Sequence, residues 1–180
     1  IKNATMHAQT KLICDYAFMN CGSLTQVSLP NSLRAIGARA FDSCNQLKEI
    51  IMPDTVECVG DMAFAACTEL SNVKLSNTLT AIGDSAFSSC VKLNQIVFPS
   101  SLKTIGAYAF NDCSSLRTIE IPCSVQSIGS MAFRSCVNLM RVTLPNGLTT
   151  IESGTFWLCR NLMEIIIPDT LTTIGDLAFE

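Results

Sequence analysis

Cys44-Asn45-Gln46-Leu47-Lys48-Glu49-Ile50-Ile51-Met52-Pro53-Asp54-Thr55-Val56-Glu57-Cys58-Val59-Gly60-Asp61-Met62-Ala63-Phe64-Ala65-Ala66 is one period of a pattern that recurs along the whole chain. The period is 23 residues, with phenylalanine at Phe18, Phe41, Phe64, Phe87, Phe110, Phe133, Phe156 and Phe179 and no insertion or deletion between them. Cysteine keeps the same step at Cys21, Cys44, Cys67, Cys90, Cys113, Cys136 and Cys159. A fixed period of ~20–50 residues marks a solenoid, in which a unit buries its apolar side only by stacking on its neighbours. The 180 residues are therefore read as nearly eight turns of one array, a single domain over residues 1–180. It is expected to be cut inside a repeat at both ends, since Ile1 falls in the column of Leu24 and Glu180 just past the eighth phenylalanine.

Set in register, the turns give eight apolar columns, represented in the second turn by Ala40, Phe41, Cys44, Leu47, Ile50, Met52, Val56 and Val59. None of the twelve basic or fifteen acidic residues falls in any of them, so these columns are the expected core. The spacing of two in Val27/Leu29, Ile50/Met52, Ile119/Ile121 and Val142/Leu144 predicts one short strand per turn. Proline follows at Pro30, Pro53, Pro99, Pro122, Pro145 and Pro168, with Ser76 the exception. Having no N–H to give to the ladder, proline should end the strand. A second, shorter extended segment is expected at pairs such as Leu33/Ile36, Val56/Val59 and Leu171/Ile174. Glycine comes next at Gly37, Gly60, Gly83, Gly106, Gly129 and Gly175, where a turn through positive φ is expected; Cys14 and Glu152 depart from it. Asp or Ser follows in most turns, then Ala-Phe and a Cys three residues on, a spacing that predicts one turn of helix or 3₁₀ helix with the acid as its cap.

The unit Leu-x-x-Ile-x-Ile-Pro-x-Ser-Val-x-Ser-Ile-Gly-x-x-Ala-Phe-x-x-Cys, which Leu116 to Cys136 spells almost in full, resembles the BspA-like leucine-rich repeat, and the resemblance covers the whole chain. It implies a leucine-rich-repeat solenoid: a parallel β-sheet of short strands joined by helical turns. The place of the asparagine found in more widespread leucine-rich repeats is taken by Ser32, Thr55, Thr78, Ser101, Ser124, Gly147 and Thr170, which predicts a hydroxyl ladder. The resemblance also implies a cell-surface or secreted, adhesin-like protein of an anaerobic bacterium or parasitic protist. Its partner would be a protein ligand, such as a host or extracellular matrix protein. A cytoplasmic scaffold remains an alternative.

Composition narrows the field further. A net charge of -3, with acids and bases scattered singly along the chain, argues against nucleic acid as the main partner. No stretch approaches the ~18 consecutive apolar residues of a membrane span. With His7 the only histidine and no Cys-x-x-Cys, the chain presents no metal-site spacing and no Ser/His/Asp or Cys/His set, and it calls for no cofactor. The expectation is a non-enzyme. Seven of the ten cysteines form the ladder and three, Cys14, Cys58 and Cys123, stand outside it. Cα atoms one rung apart, at ~4.8 Å, lie within disulfide range, but parallel side chains keep the Cβ atoms beyond the usual ~3.8 Å. The ladder is therefore expected to consist of buried free thiols. A redox role for Cys58 or Cys123 requires exposure.

A ligand must be read by the outward positions of the main strand, where the columns vary. One column runs Gln26, Glu49, Asn72, Gln95, Thr118, Arg141, Glu164; the next runs Ser28, Ile51, Lys74, Val97, Glu120, Thr143, Ile166. Ile51, Val97 and Ile166 put bare apolar side chains where solubility would favour Thr or Lys. With Glu49, Lys74, Glu120, Arg141 and Glu164 around them, they are the candidate ligand-binding residues, an apolar centre with a charged rim. The competing readings are an ordinary solvated face and a structural spacer with no ligand face. Trp157 follows the irregular Glu152-Ser153-Gly154-Thr155, which marks either a turn reshaped for a partner or drift.

Overall fold

The computed structural model describes residues 1–180 and contains strands and turns only. In chain order the strands are β1 (Asn3–Thr5), β2 (Leu12–Ile13), β3 (Gln26–Ser28), β4 (Ala35–Ile36), β5 (Glu49–Ile51), β6 (Cys58–Val59), β7 (Asn72–Lys74) and β8 (Ala81–Ile82). They continue as β9 (Thr104–Ile105), β10 (Thr118–Glu120), β11 (Ser127–Ile128), β12 (Arg141–Thr143), β13 (Thr150–Ile151), β14 (Glu164–Ile166) and β15 (Thr173–Ile174). All pairings are parallel and one period apart, as in Ile50 with Val73 and Ile119 with Val142. Three-residue strands form a front face and two-residue strands a back face, as the two apolar pairs per turn predict.

One continuous core runs the length of the rod and takes in all eight columns. Its spine is the phenylalanine ladder, whose parallel rings stack with centroids 5.2 Å apart between Phe18 and Phe41 and 5.7 Å apart between Phe156 and Phe179. Phe41 through Phe156 are fully buried. The hydroxyl ladder also forms: Ser32, Thr55, Ser101 and Thr170 each donate to a carbonyl of the turn before, at 2.6–2.9 Å.

The segment from glycine to cysteine corrects the sequence reading in three ways. It is a run of turns and not a helix. Alternate amides leave the local path to bond the next turn, as Arg39, Phe41 and Ser43 do with the carbonyls of Asp61, Ala63 and Ala65 at 2.7–2.8 Å, so no helical ladder can close. Left-handed backbone falls on Arg39 and Ser43 (φ 53 and 61) and their counterparts, while the column glycines such as Gly106 are absent from that region. What requires glycine is close approach. A Cβ on Gly106 would lie 2.6 Å from the backbone nitrogen of Asp84, one turn below. The acids cap no helix either: Asp15, Asp61 and Asp84 accept from the amides of Ala38, Asp84 and Ala107 at 2.7–2.8 Å, tying each turn to the next.

Both faces are interrupted. On the front, the ladder lapses at Gln95–Val97, predicted as a strand. There Phe98 brings a phenyl ring into a slot filled elsewhere by Leu, Met or Ile, packed edge-on against Phe110 at 5.6 Å. A second front gap separates β3 from β5. On the back, β2 to β11 form one sheet that stops short of β13. The break coincides with Glu152, whose Cβ occupies the space that glycine leaves open elsewhere. Gly129 and Gly175 bond Ile105 and Ile151 at 2.8 Å, whereas Glu152 makes no such bond to Ile128. The hydroxyl ladder fails at the same level: the Ser124 hydroxyl is buried without a partner, and Gly147 has none to offer.

Candidate functional site

The front face carries every candidate residue in solvent, because strand alternation sends the middle residue of each strand inward and the two flanking it outward. Glu49 and Ile51 lie on β5, Lys74 on β7, Glu120 on β10, Arg141 on β12, and Glu164 and Ile166 on β14; Val97 sits in the interrupted turn. Register places Ile51 beside Lys74, Glu120 beside Thr143, and Thr143 beside Ile166. The apolar side chains therefore share one column as separate points, with Lys74 between Ile51 and Val97, and Glu120 and Thr143 between Val97 and Ile166. They do not merge into one patch. Their exposure is 50% for Ile51, 80% for Val97 and 58% for Ile166, far above the inward neighbours.

Charges on the rim are partly spent on one another. Arg141 Nε donates to Glu164 Oε2 at 2.8 Å, and the Asn72 amide donates to the Glu49 carboxylate. Lys74 and Glu120 take part in no ion pair. Two of the three apolar outliers stand at gaps in the sheet. Ile51 and Glu49 border a recess that runs over β1 and β3, with Ala4, Val27 and Leu29 in its lining. Val97 and Glu120 border another with Phe98 and Pro122.

A second, half-buried feature lies on the turn face, away from the candidate residues. Asn111 donates to Ser88 Oγ, Arg134 donates to Asn111 Oδ1, both at 3.2 Å, and the Arg134 guanidinium lies 4.7 Å over the Trp157 ring. Ser88, Asn111, Arg134 and Trp157 occupy one column four periods long, a signal that reading the core columns alone passes over. Gly154 (φ 63) holds the left-handed position of its turn, and its bare Cα lies under the Met131 side chain, so Glu152-Ser153-Gly154-Thr155 keeps the turn path on this face.

All ten cysteines are free. The ladder cysteines Cys44, Cys67, Cys90, Cys113, Cys136 and Cys159 are buried, Cys21 is half-buried, and Cys14, Cys58 and Cys123 are exposed. Burial, which penalises the thiolate, pushes Cys44 up to about 11 and Cys159 up to about 12, and raises Cys67, Cys90, Cys113 and Cys136 as well. These thiols are packing groups, protonated at neutral pH. No three His, Cys, Asp or Glu side chains converge where they could hold a metal ion, and no helix is long and apolar enough to cross a membrane.

The family described as BspA type Leucine rich repeat region (6 copies) matches residues 1–102 and 80–180. Among solved structures, the leucine-rich repeat protein of T. pallidum superposes with a TM-score of 0.68 at 33% identity, over 96% of this chain and 72% of that one. A leucine-rich cell surface protein of Faecalibacterium prausnitzii gives 0.64 at 23% identity, over 97% of this chain and 59% of that one. A leucine-rich repeat protein of Bacteroides ovatus gives 0.59 at 24%, over 100% and 64%. The latter two speak for the fold. No curated protein sequence matches the chain.

Proposed function

Because this chain belongs to the BspA-type leucine-rich repeat family, we propose that it is a non-enzymatic protein-binding module, reading a protein ligand along the front strand face. The observation that carries this reading is the contrast between columns. Inward positions repeat the same apolar residues from turn to turn, whereas outward ones alternate exposed Ile51, Val97 and Ile166 with Lys74, Glu120 and the Arg141–Glu164 pair. Exposed apolar side chains without an occupant cost solubility, and a partner that covers them recovers about 25 cal/mol per Å². The resemblance supports a place in a cell-surface or secreted, adhesin-like protein whose ligand is a host or extracellular matrix protein.

Val97→Asp and Ile166→Asp test this on the intact chain, with Ser100→Ala in the turn after Pro99 as the control. Binding to immobilised matrix and host-cell proteins should fall about tenfold or more in each Asp variant, the loss of one well-placed apolar contact, with circular dichroism unchanged. Unchanged affinity in both folded variants removes the strand face as the site.

A second reading, an intracellular scaffold, draws on the ten free cysteines, three of them exposed, since unpaired exposed thiols suit a reducing compartment. Protease treatment of intact source cells separates the two: a surface module is cleaved and a scaffold is spared.

A further inference from the structure

Bases that are scattered along the sequence gather in space at the corner between the cysteine ladder and the front strand. The columns there, Asn45 to Lys48 and their counterparts, contain Lys2, Lys48, Lys92, Arg117 and Arg160 and a single acid, Glu69, in a chain whose net charge is -3. Glu69 is paired with Lys92 at 2.7 Å and Glu164 with Arg141, while Glu49 accepts from the neutral Asn72 amide and keeps its charge. Lys2, Lys48, Arg117 and Arg160 have no ion-pair partner. Two adjoining recesses open along this strip and share Arg117 and Asn138. One continues through Arg160 and Asn161 to Met140 and Met163; the other runs back through Ser115 and Asn94 to Lys92.

We propose that this basic, amide-lined strip is a second binding site, for an acidic polysaccharide lying along the solenoid axis. It is separate from the strand-face reading above. The chemistry of the lining selects the ligand. Guanidinium groups pair with carboxylate or sulfate. The Asn138 amide donates to the Ser114 carbonyl at 2.8 Å and its oxygen accepts from Asn161 at 3.4 Å, which leaves each amide a second N–H and a lone pair for vicinal hydroxyls. Exposed Met163 and its neighbour Met140 offer an apolar edge to a sugar ring. Rungs recur every ~4.8 Å, close to the length of one pyranose unit. An acidic peptide in extended form repeats its same-face side chains every ~6.8 Å and falls out of step. No aromatic side chain lines either recess, so the strip lacks the stacking platform that single-stranded nucleic acids use.

The test measures retention of sodium polygalacturonate by the 180-residue chain, with neutral dextran, polyglutamate and single-stranded DNA as comparison probes. Polygalacturonate should bind in preference to all three. Arg117→Ala with Arg160→Ala should weaken it about tenfold and flatten its salt dependence, because two counterion-releasing contacts are gone. Arg117→Lys with Arg160→Lys should retain most binding, and Val97→Asp on the strand face should leave it intact. Asn138→Ala with Asn161→Ala should weaken polygalacturonate while sparing any residual binding of polyglutamate. Failure of the wild-type chain to bind polygalacturonate, or indifference to the Arg117/Arg160 alanine pair, overturns the site. Equal binding of polyglutamate or DNA overturns the polysaccharide assignment.

Discussion

The thiol of Cys90 donates to the backbone carbonyl of Phe64, 26 residues earlier, across 3.2 Å. The same bond links Cys44 to Phe18, Cys67 to Phe41, Cys113 to Phe87, Cys136 to Phe110 and Cys159 to Phe133. A ladder thiol thus fills core space and partners a buried carbonyl whose only other donor is a long bond from the turn itself, 3.3 Å from the Cys67 amide in this case. Cys90→Ala gives up both contributions and should cost about 1–2 kcal/mol in urea unfolding. Cys90→Ser keeps the donor and should cost less. Equal losses for Ala and Ser would show that volume alone matters there.

The same burial sets a pH limit. Thiols whose ordinary value is 9.0 titrate higher in the folded chain, at about 11 for Cys44 and about 12 for Cys159. The folded state therefore holds protons that the unfolded state releases above pH 9. Stability from these groups is full below that point and falls as pH rises through the folded values. Under reducing conditions the urea midpoint should drop steadily between pH 9 and pH 11, and a flat profile over that window would contradict the burial of the ladder.

Thiol labelling reads the ladder directly. In the native state Cys14, Cys58 and Cys123 should react with an alkylating reagent, and the buried ladder thiols should react only after denaturation. Mass spectrometry of non-reduced digests should find no peptides joined between rungs.

Glycine substitutions separate close approach from backbone freedom. Gly106→Ala drives a Cβ to 2.6 Å from Asp84 and should open that rung, at a cost of several kcal/mol. Gly22→Ala meets nothing within 4 Å and should change stability by about 0.5 kcal/mol or less.

Glu152→Gly is the converse experiment. Restoring glycine at the break between β11 and β13 lets residue 152 reach the Ile128 carbonyl, as Gly129 reaches Ile105. Amide hydrogen exchange at Thr149 and residue 152 should slow, and thermal stability should rise. Exchange as fast as in the parent chain would mean that the break has another cause.

Sequence periodicity alone determined the solenoid, the eight inward columns, the short strand in most turns and the outward set from Glu49 to Ile166. Stacking identical turns constrains each column to one side-chain character, and a 23-residue period leaves that constraint visible in the letters. It did not determine why glycine recurs before the Ala-Phe pair, nor that Asp61 and Asp84 bond amides one turn on, nor that Cys90 serves Phe64. Those contacts join residues about one period apart, and their direction depends on how the turns sit on one another. The same holds for the candidate sites. Ile51, Val97 and Ile166 were legible as outliers, and so was their separation by Lys74, Glu120 and Thr143, but the recesses beside Ile51 and Val97 belong to the folded surface alone. The basic strip was illegible, because Lys92, Arg117 and Arg160 are far apart along the chain and line adjoining recesses only when the turns stack.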